Sequence, residues 1–146
     1  MNVVFISPHF PLYFHNFCSR LKQRNVNVLG IIDTDYQNIS QETKNSLTDC
    51  YCVNSLDNYD EVYRAVAYFI SKYGRIDFIE SQNEYWLEME AKLRDDFNIV
   101  HGTRFNDLSW MKYKSKMKQV FFKAGVNVAR YCLVNSFEEV KAFIEK

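Results

Sequence analysis

Short apolar runs constrain this chain more than any other feature: Val3–Ile6, Val26–Ile32 and Ile76–Ile79. They do not alternate with polar residues, so they suit strands buried on both faces, as in a parallel sheet. Between them the apolar spacing becomes helical. Phe14, Phe17, Cys18 and Leu21 share one helix face after the first run, in a helix that ends near Asn25. Val62, Ala65, Val66, Phe69 and Ile70 share another before Ile76. Asn58 and Glu61 read as a capping box for that second helix, and Gly74 as its stop. Strands alternating with helices over short connections predict right-handed βαβ units. The fold class is therefore α/β: a small parallel Rossmann-like sheet with helices on both faces. In doubly wound sheets ligands bind beyond the carboxyl ends of the strands. Those ends here are Ser7–Phe14, Asp33–Asn38 and Glu80–Tyr85.

The connecting segments complete the pattern. The polar stretch Tyr36–Asp49 predicts a short helix, and Cys50–Val53 a third strand, which makes Ile76–Ile79 the fourth. A helix from Ser81 to about Asp96 opens on a Ser81/Glu84 capping box. Ile99–His101 reads as a fifth strand, broken by Gly102. Beyond Gly102 the character changes. Met117, Val120, Phe121 and Ala124 mark a helix stopped by Gly125, and Tyr131–Val134 reads as a strand. Ser136 and Glu139 cap a last helix whose Phe137, Val140, Phe143 and Ile144 would face inward. This helix–strand–helix piece has no closing strand. The expected division is 1–103 as one domain and 104–146 as the truncated opening of a second.

Charge excludes some partners. Eighteen basic and eighteen acidic residues leave a net charge of +0, which argues against general nucleic-acid or membrane-surface binding. The aromatic content of 16% supplies a core without disulfides. With neither a secretory signal nor a membrane-length apolar run, Cys18, Cys50, Cys52 and Cys132 read as reduced thiols of a cytoplasmic protein.

The loop after the first strand contains no glycine, so no dinucleotide fingerprint is present; Walker, HExxH and GxSxG motifs are absent too. His9 and His15 lie in or beside that loop without a third metal ligand in register, and helix-start packing is the simpler role. Cys50 and Cys52 point to one face of their strand and read as core cysteines. Glu80, Ser81, Asn83 and Glu84 form the most chemical-looking loop. Capping and substrate contact are both open to it, and the two are compatible. The lysines of 112–118 suit a solvated helix face or ammonium donors to phosphate oxygens, and spacing does not choose.

Two stretches resemble a known family. Ile76–Glu88, continuing through Leu93–Ile99, resembles the last strand–loop–helix of the preATP-grasp domain in carbamoyl-phosphate-synthase-like ATP-grasp proteins. Lys114–Lys118 followed by Phe122–Val126 and Val134–Glu139 resembles the start of the ATP-grasp domain itself, where a DKxxMK segment opens a helix and an aGV segment ends it. The resemblance implies an ATP-dependent ligase that activates a carboxylate as an acyl phosphate for attack by an amine or similar nucleophile, with ATP and Mg2+ as cofactors. It places Lys114 on the nucleotide phosphates, although Tyr113 stands where the family has an aspartate. Ser7, His9, Glu80, Ser81, Asn83 and Glu84 would line one wall of the substrate cleft. The family's second phosphate lysine, its glycine-rich lid and its metal ligands lie beyond the stretch matched here. These 146 residues are therefore expected neither to turn over ATP nor to hold it tightly, and the exposed tail to favour a homodimer. The rival reading is a non-catalytic Rossmann-like binding module. A glycosyltransferase half would leave Lys114–Val126 unexplained.

Overall fold

In the computed structural model, which describes Met1–Glu145, the apolar runs lie side by side. Strands β1 (Asn2–Ile6), β2 (Asn27–Ile32), β3 (Asp49–Cys52) and β4 (Phe78–Glu80) form one wholly parallel sheet in the order β3-β2-β1-β4. Val4 of β1 stands opposite Leu29 on one side and Ile79 on the other. Side chains alternate across the sheet. Val4, Ile6, Leu29, Ile31 and Ile79 meet the apolar stripe of α3 (Tyr59–Tyr73) and Leu93 of α4 (Leu87–Asp96). Val3, Phe5 and Val28 meet Phe14, Cys18 of α1 (His15–Lys22) and Leu47 just after α2 (Gln41–Ser46). Both faces of β1 and β2 are covered, which is why those strands are nearly unbroken apolar runs. Each large side chain fully buried this way contributes roughly 1.5–3 kcal/mol.

The helix punctuation is local and physical. Asn58 Oδ1 accepts the N–H groups of Asp60 (3.1 Å) and Glu61 (3.4 Å) at the start of α3. The Glu61 carboxylate turns back to the Asn54 N–H at 2.6 Å rather than to that of Asn58. Gly74 ends the helix at φ 80°, a backbone state other residues adopt at a cost.

Besides Cys52, read as a core cysteine but exposed at the end of β3 on the sheet edge, four expectations need correction. Ile99–His101 is not a strand. Asn98 takes a left-handed φ of 49°, and the N–H groups of Asn98 and Ile99 go to the carbonyls of Asp95 (3.2 Å) and Arg94 (2.8 Å), a Schellman closure of α4. Ile99 still buries its side chain in the core, so its apolar signal was real, but its N–H is spent on the helix. The second correction concerns Ser81 and Glu84, which form no capping box. Asn83 Oδ1 instead accepts the Tyr85 N–H (3.0 Å), and a 3-10 turn (Glu84–Trp86) precedes α4. Third, Tyr131–Val134 is not a strand. Last, Phe137 and Ile144 are 77% and 75% exposed and do not face inward.

The chain divides into two units, Met1–Phe105 and the residues from Asn106 onward. The second unit holds α5 (Ser109–Lys112), α6 (Lys114–Lys123) and α7 (Phe137–Ile144). Gly125 stops α6 in the left-handed region, and Ser136 Oγ accepts the Glu139 N–H at 3.2 Å to start α7. Among the described residues no helix is long and apolar enough to cross a membrane.

Candidate functional site at the carboxyl ends of the strands

The β1 loop is built from its own groups. Ser7 adopts a left-handed φ of 57°, a state that costs a non-glycine residue energy and is held by its surroundings. Its N–H continues the ladder to the Ile31 carbonyl (3.0 Å), and its buried hydroxyl donates to the Phe10 carbonyl (3.1 Å). That hydroxyl therefore shapes the loop. His9 follows, with Nε2 at 3.1 Å from Asp33 Oδ1 at the end of β2. Burial pushes the His9 pKa down, while Asp33 pulls it up more weakly. Nδ1 is buried without a hydrogen-bond partner. The neutral ring with its proton on Nε2, donated to Asp33, fits this environment, because a second proton would bury an unsatisfied N–H. His15 stands apart in role: its Nδ1 lies 2.6 Å from the Leu12 carbonyl at the start of α1.

The β4 loop rests on a buried charge cluster. Arg94, on α4, is 3% exposed and Glu90, one turn earlier, 2%. Arg94 Nη2 donates to Glu90 Oε2 (2.8 Å), to the Ile79 carbonyl (2.6 Å) and, more weakly, to Glu80 Oε1 (3.3 Å), while Nη1 donates to the Thr103 carbonyl (3.2 Å). Ser81, wholly buried, donates its hydroxyl to Glu90 Oε1 and accepts the Asn83 N–H at 3.1 Å. Burial raises the Glu90 pKa, and Ser81 and Arg94 oppose that rise. Gly102 is part of the cluster by having no side chain. A Cβ there would sit 2.6 Å from Arg94 Nε, at a backbone φ of 98°. The structure thus brings Glu80 and Ser81 together with Glu90 and Arg94, and His9 with Asp33. Asn83 caps the turn after Ser81, and Glu84 opens that turn on the exposed side.

Lys114 is the exposed first residue of α6, within the second unit. Tyr113 occupies the N-cap and gives no side-chain hydrogen bond there, whereas an aspartate at that position caps well. Two neighbours are committed to aromatic rings: Lys116 lies 5.5 Å from the Tyr113 ring centre and Lys118 4.8 Å from that of Tyr131. The lysine cluster is therefore neither simply solvated nor uniformly available for phosphate.

Asp33, Glu90 and Arg94 escaped notice in the sequence as single residues. Glu90 and Arg94 carried a signal, the i,i+4 spacing of an ion pair, but such pairs are usually solvated. Among the described residues no three His, Cys, Asp or Glu side chains come together as a metal site would require.

No protein-family model and no curated protein matches the sequence. Solved structures do match. A phosphoribosylglycinamide synthetase from Anaerococcus prevotii aligns over 99% of this chain at 20% identity with a TM-score of 0.67. An L-amino acid ligase from Bacillus licheniformis aligns over 99% at 14% identity (TM-score 0.61), and the biotin carboxylase domain of a single-chain bacterial carboxylase over 99% at 12% (TM-score 0.68). This chain shares the fold of the aligned part of those three structures. It spans 34%, 41% and 34% of those chains respectively. The match covers the residues after Phe105 as well as the sheet.

Proposed function

We propose that these residues are the N-terminal part of an ATP-dependent carboxylate–amine ligase that works through an acyl phosphate. The observation that carries this reading is the structural match over 99% of the chain, second unit included, to proteins that include two named as a ligase or synthetase. The division of labour is read from the family resemblance and from the strand-end position of the loops. Residues up to about 103 are the preATP-grasp domain, and their strand-end loops form one wall of the substrate cleft. On that wall Glu80 and the His9–Asp33 pair present charge, whereas Ser7 and Ser81 hold the loops in shape. Residues from about 104 open the ATP-grasp domain, and Lys114 offers its ammonium to the nucleotide phosphates. An ammonium is suited to that role as a compact point charge. ATP with Mg2+, when bound, would supply the phosphoryl group and neutralise its charge. The tight ATP site and its metal ligands are not among these residues.

The test uses the full translation product containing these residues, with Mg-ATP, a panel of carboxylic acids and hydroxylamine as trap. An acyl phosphate predicts acid-dependent hydroxamate with one ADP per product. Release of AMP and pyrophosphate would overturn the acyl-phosphate step. No acid-dependent nucleotide turnover would favour the non-catalytic binding module.

A further inference from the structure

Charge balance alone does not account for the partners of buried Arg94. The Glu90 carboxylate, one turn earlier on α4, already supplies a counter-charge at 2.8 Å. The guanidinium nevertheless reaches three more acceptors in two places. Nη2 donates to the Ile79 carbonyl (2.6 Å) and to Glu80 Oε1 (3.3 Å), both at the end of β4. Nη1 donates to the Thr103 carbonyl (3.2 Å), where the chain leaves the first unit. That exit is fastened again to the end of α4. Arg104 Nη1 donates to the Arg94 carbonyl (2.9 Å) and to Asp95 Oδ1 (3.0 Å), and Asp95 Oδ2 accepts the Phe105 N–H (3.2 Å). The second unit starts at the next residue, Asn106. Gly102 leaves room for the guanidinium, since a Cβ there would lie 2.6 Å from Arg94 Nε. The loop after β4 hangs on the same ion pair: Glu90 Oε1 accepts from the Ser81 hydroxyl, whose oxygen accepts the Asn83 N–H at 3.1 Å. A guanidinium suits such a junction because its donors are fixed relative to one another in a plane, whereas an ammonium is a single point charge.

We propose that Arg94 is a positioning residue, which sets the β4 strand-end loop and the exit of the chain at Thr103 as one piece. A disturbance at either end is carried to the other through the guanidinium. Its bearing on ligands rests on the ligase reading, in which Glu80 stands on the substrate wall and the exit leads to the helix that opens with Lys114. The tie itself lies wholly within the first unit and does not need that reading.

Backbone amide exchange of the 146-residue chain, followed by NMR, tests the tie. Gly102→Ala pushes on the guanidinium from the exit and keeps every charge. It should speed exchange of the Asn83 amide at least about threefold, while α3 amides such as that of Phe69 keep their protection. Arg94→Lys, the second variant should Gly102→Ala not fold, keeps a cation beside Glu90 but loses the fork, and should loosen Asn83 and Phe105 together. An Asn83 amide unmoved in a folded variant would overturn the proposal. So would equal loosening of Asn83 and Phe69, which would mark a general loss of stability. In the full translation product, Arg94→Lys should raise the KM for the acid and the KM for ATP together, each at least about threefold. A change in only one of them, or in neither, would contradict a joint positioning role. A wild-type product without acid-dependent turnover would count against the ligase reading, and the exchange data would then decide the tie by themselves.

Discussion

The unit up to Phe105 and the residues from Asn106 onward use the same helix punctuation and reach opposite degrees of burial. Phe69 on α3 is wholly buried, whereas Phe137 at the start of α7 is 77% exposed. Both helices begin on a side-chain cap, Asn58 in one case and Ser136 in the other. Capping is satisfied within a few residues of the helix end and needs no partner element. Burial of a stripe needs a facing surface, which the four-stranded sheet supplies to α3. The difference teaches that a helix signal in sequence reports a helix, and not a core.

The largest expected effect tests that contrast. Phe69→Ala should lower the unfolding free energy by about 3–5 kcal/mol in urea titrations, the usual cost of deleting a buried aromatic. Phe137→Ala should stay within about 0.5 kcal/mol. A loss of similar size at both positions would break the comparison, because it would mean α7 is held as tightly as α3.

Next comes the buried ion pair beneath the β4 loop. Arg94→Met strands the Glu90 carboxylate and should cost about 3 kcal/mol, whereas Arg94→Met combined with Glu90→Gln should recover part of that loss. Strictly additive effects in the double-mutant cycle would show that the two groups are not coupled.

The smallest effect is that of pH on the β1 loop. Burial sets the His9 pKa below its ordinary 6.5, so between the folded and unfolded values the unfolded chain binds more protons. Stability should therefore fall as the pH drops from 6.5 through the lower, folded value, and His9→Gln should flatten that slope. A slope of the opposite sign would mean that Asp33 outweighs burial.

How much of this was legible follows the same division between local and non-local causes. The runs Val3–Ile6 and Val26–Ile32 became β1 and β2 because an unbroken apolar strand has few other places to go. Gly74 and Gly125 ended their helices as read, since a left-handed stop is a property of one residue. Ile99–His101 misled because an apolar side chain reports burial and not strand pairing, and the Ile99 N–H was already committed to closing α4. Tyr131–Val134 misled because a strand exists only beside another strand. In the candidate site, Glu80 and His9 were visible from their place after strands. Their partners Arg94 and Asp33 come from other elements, and only the fold brings them near.

We propose that these residues contribute a wall and one phosphate-binding cation to an ATP-dependent ligase. Lys114→Ala in the full translation product tests it most directly, read as the ATP dependence of acid-stimulated ADP release. Lys114 is exposed at the start of α6, and the melting temperature reports whether the variant is folded. A fall in kcat/KM for ATP of at least about tenfold is expected, from the loss of one charge-assisted contact. An unchanged kcat/KM for ATP in a folded variant would contradict it.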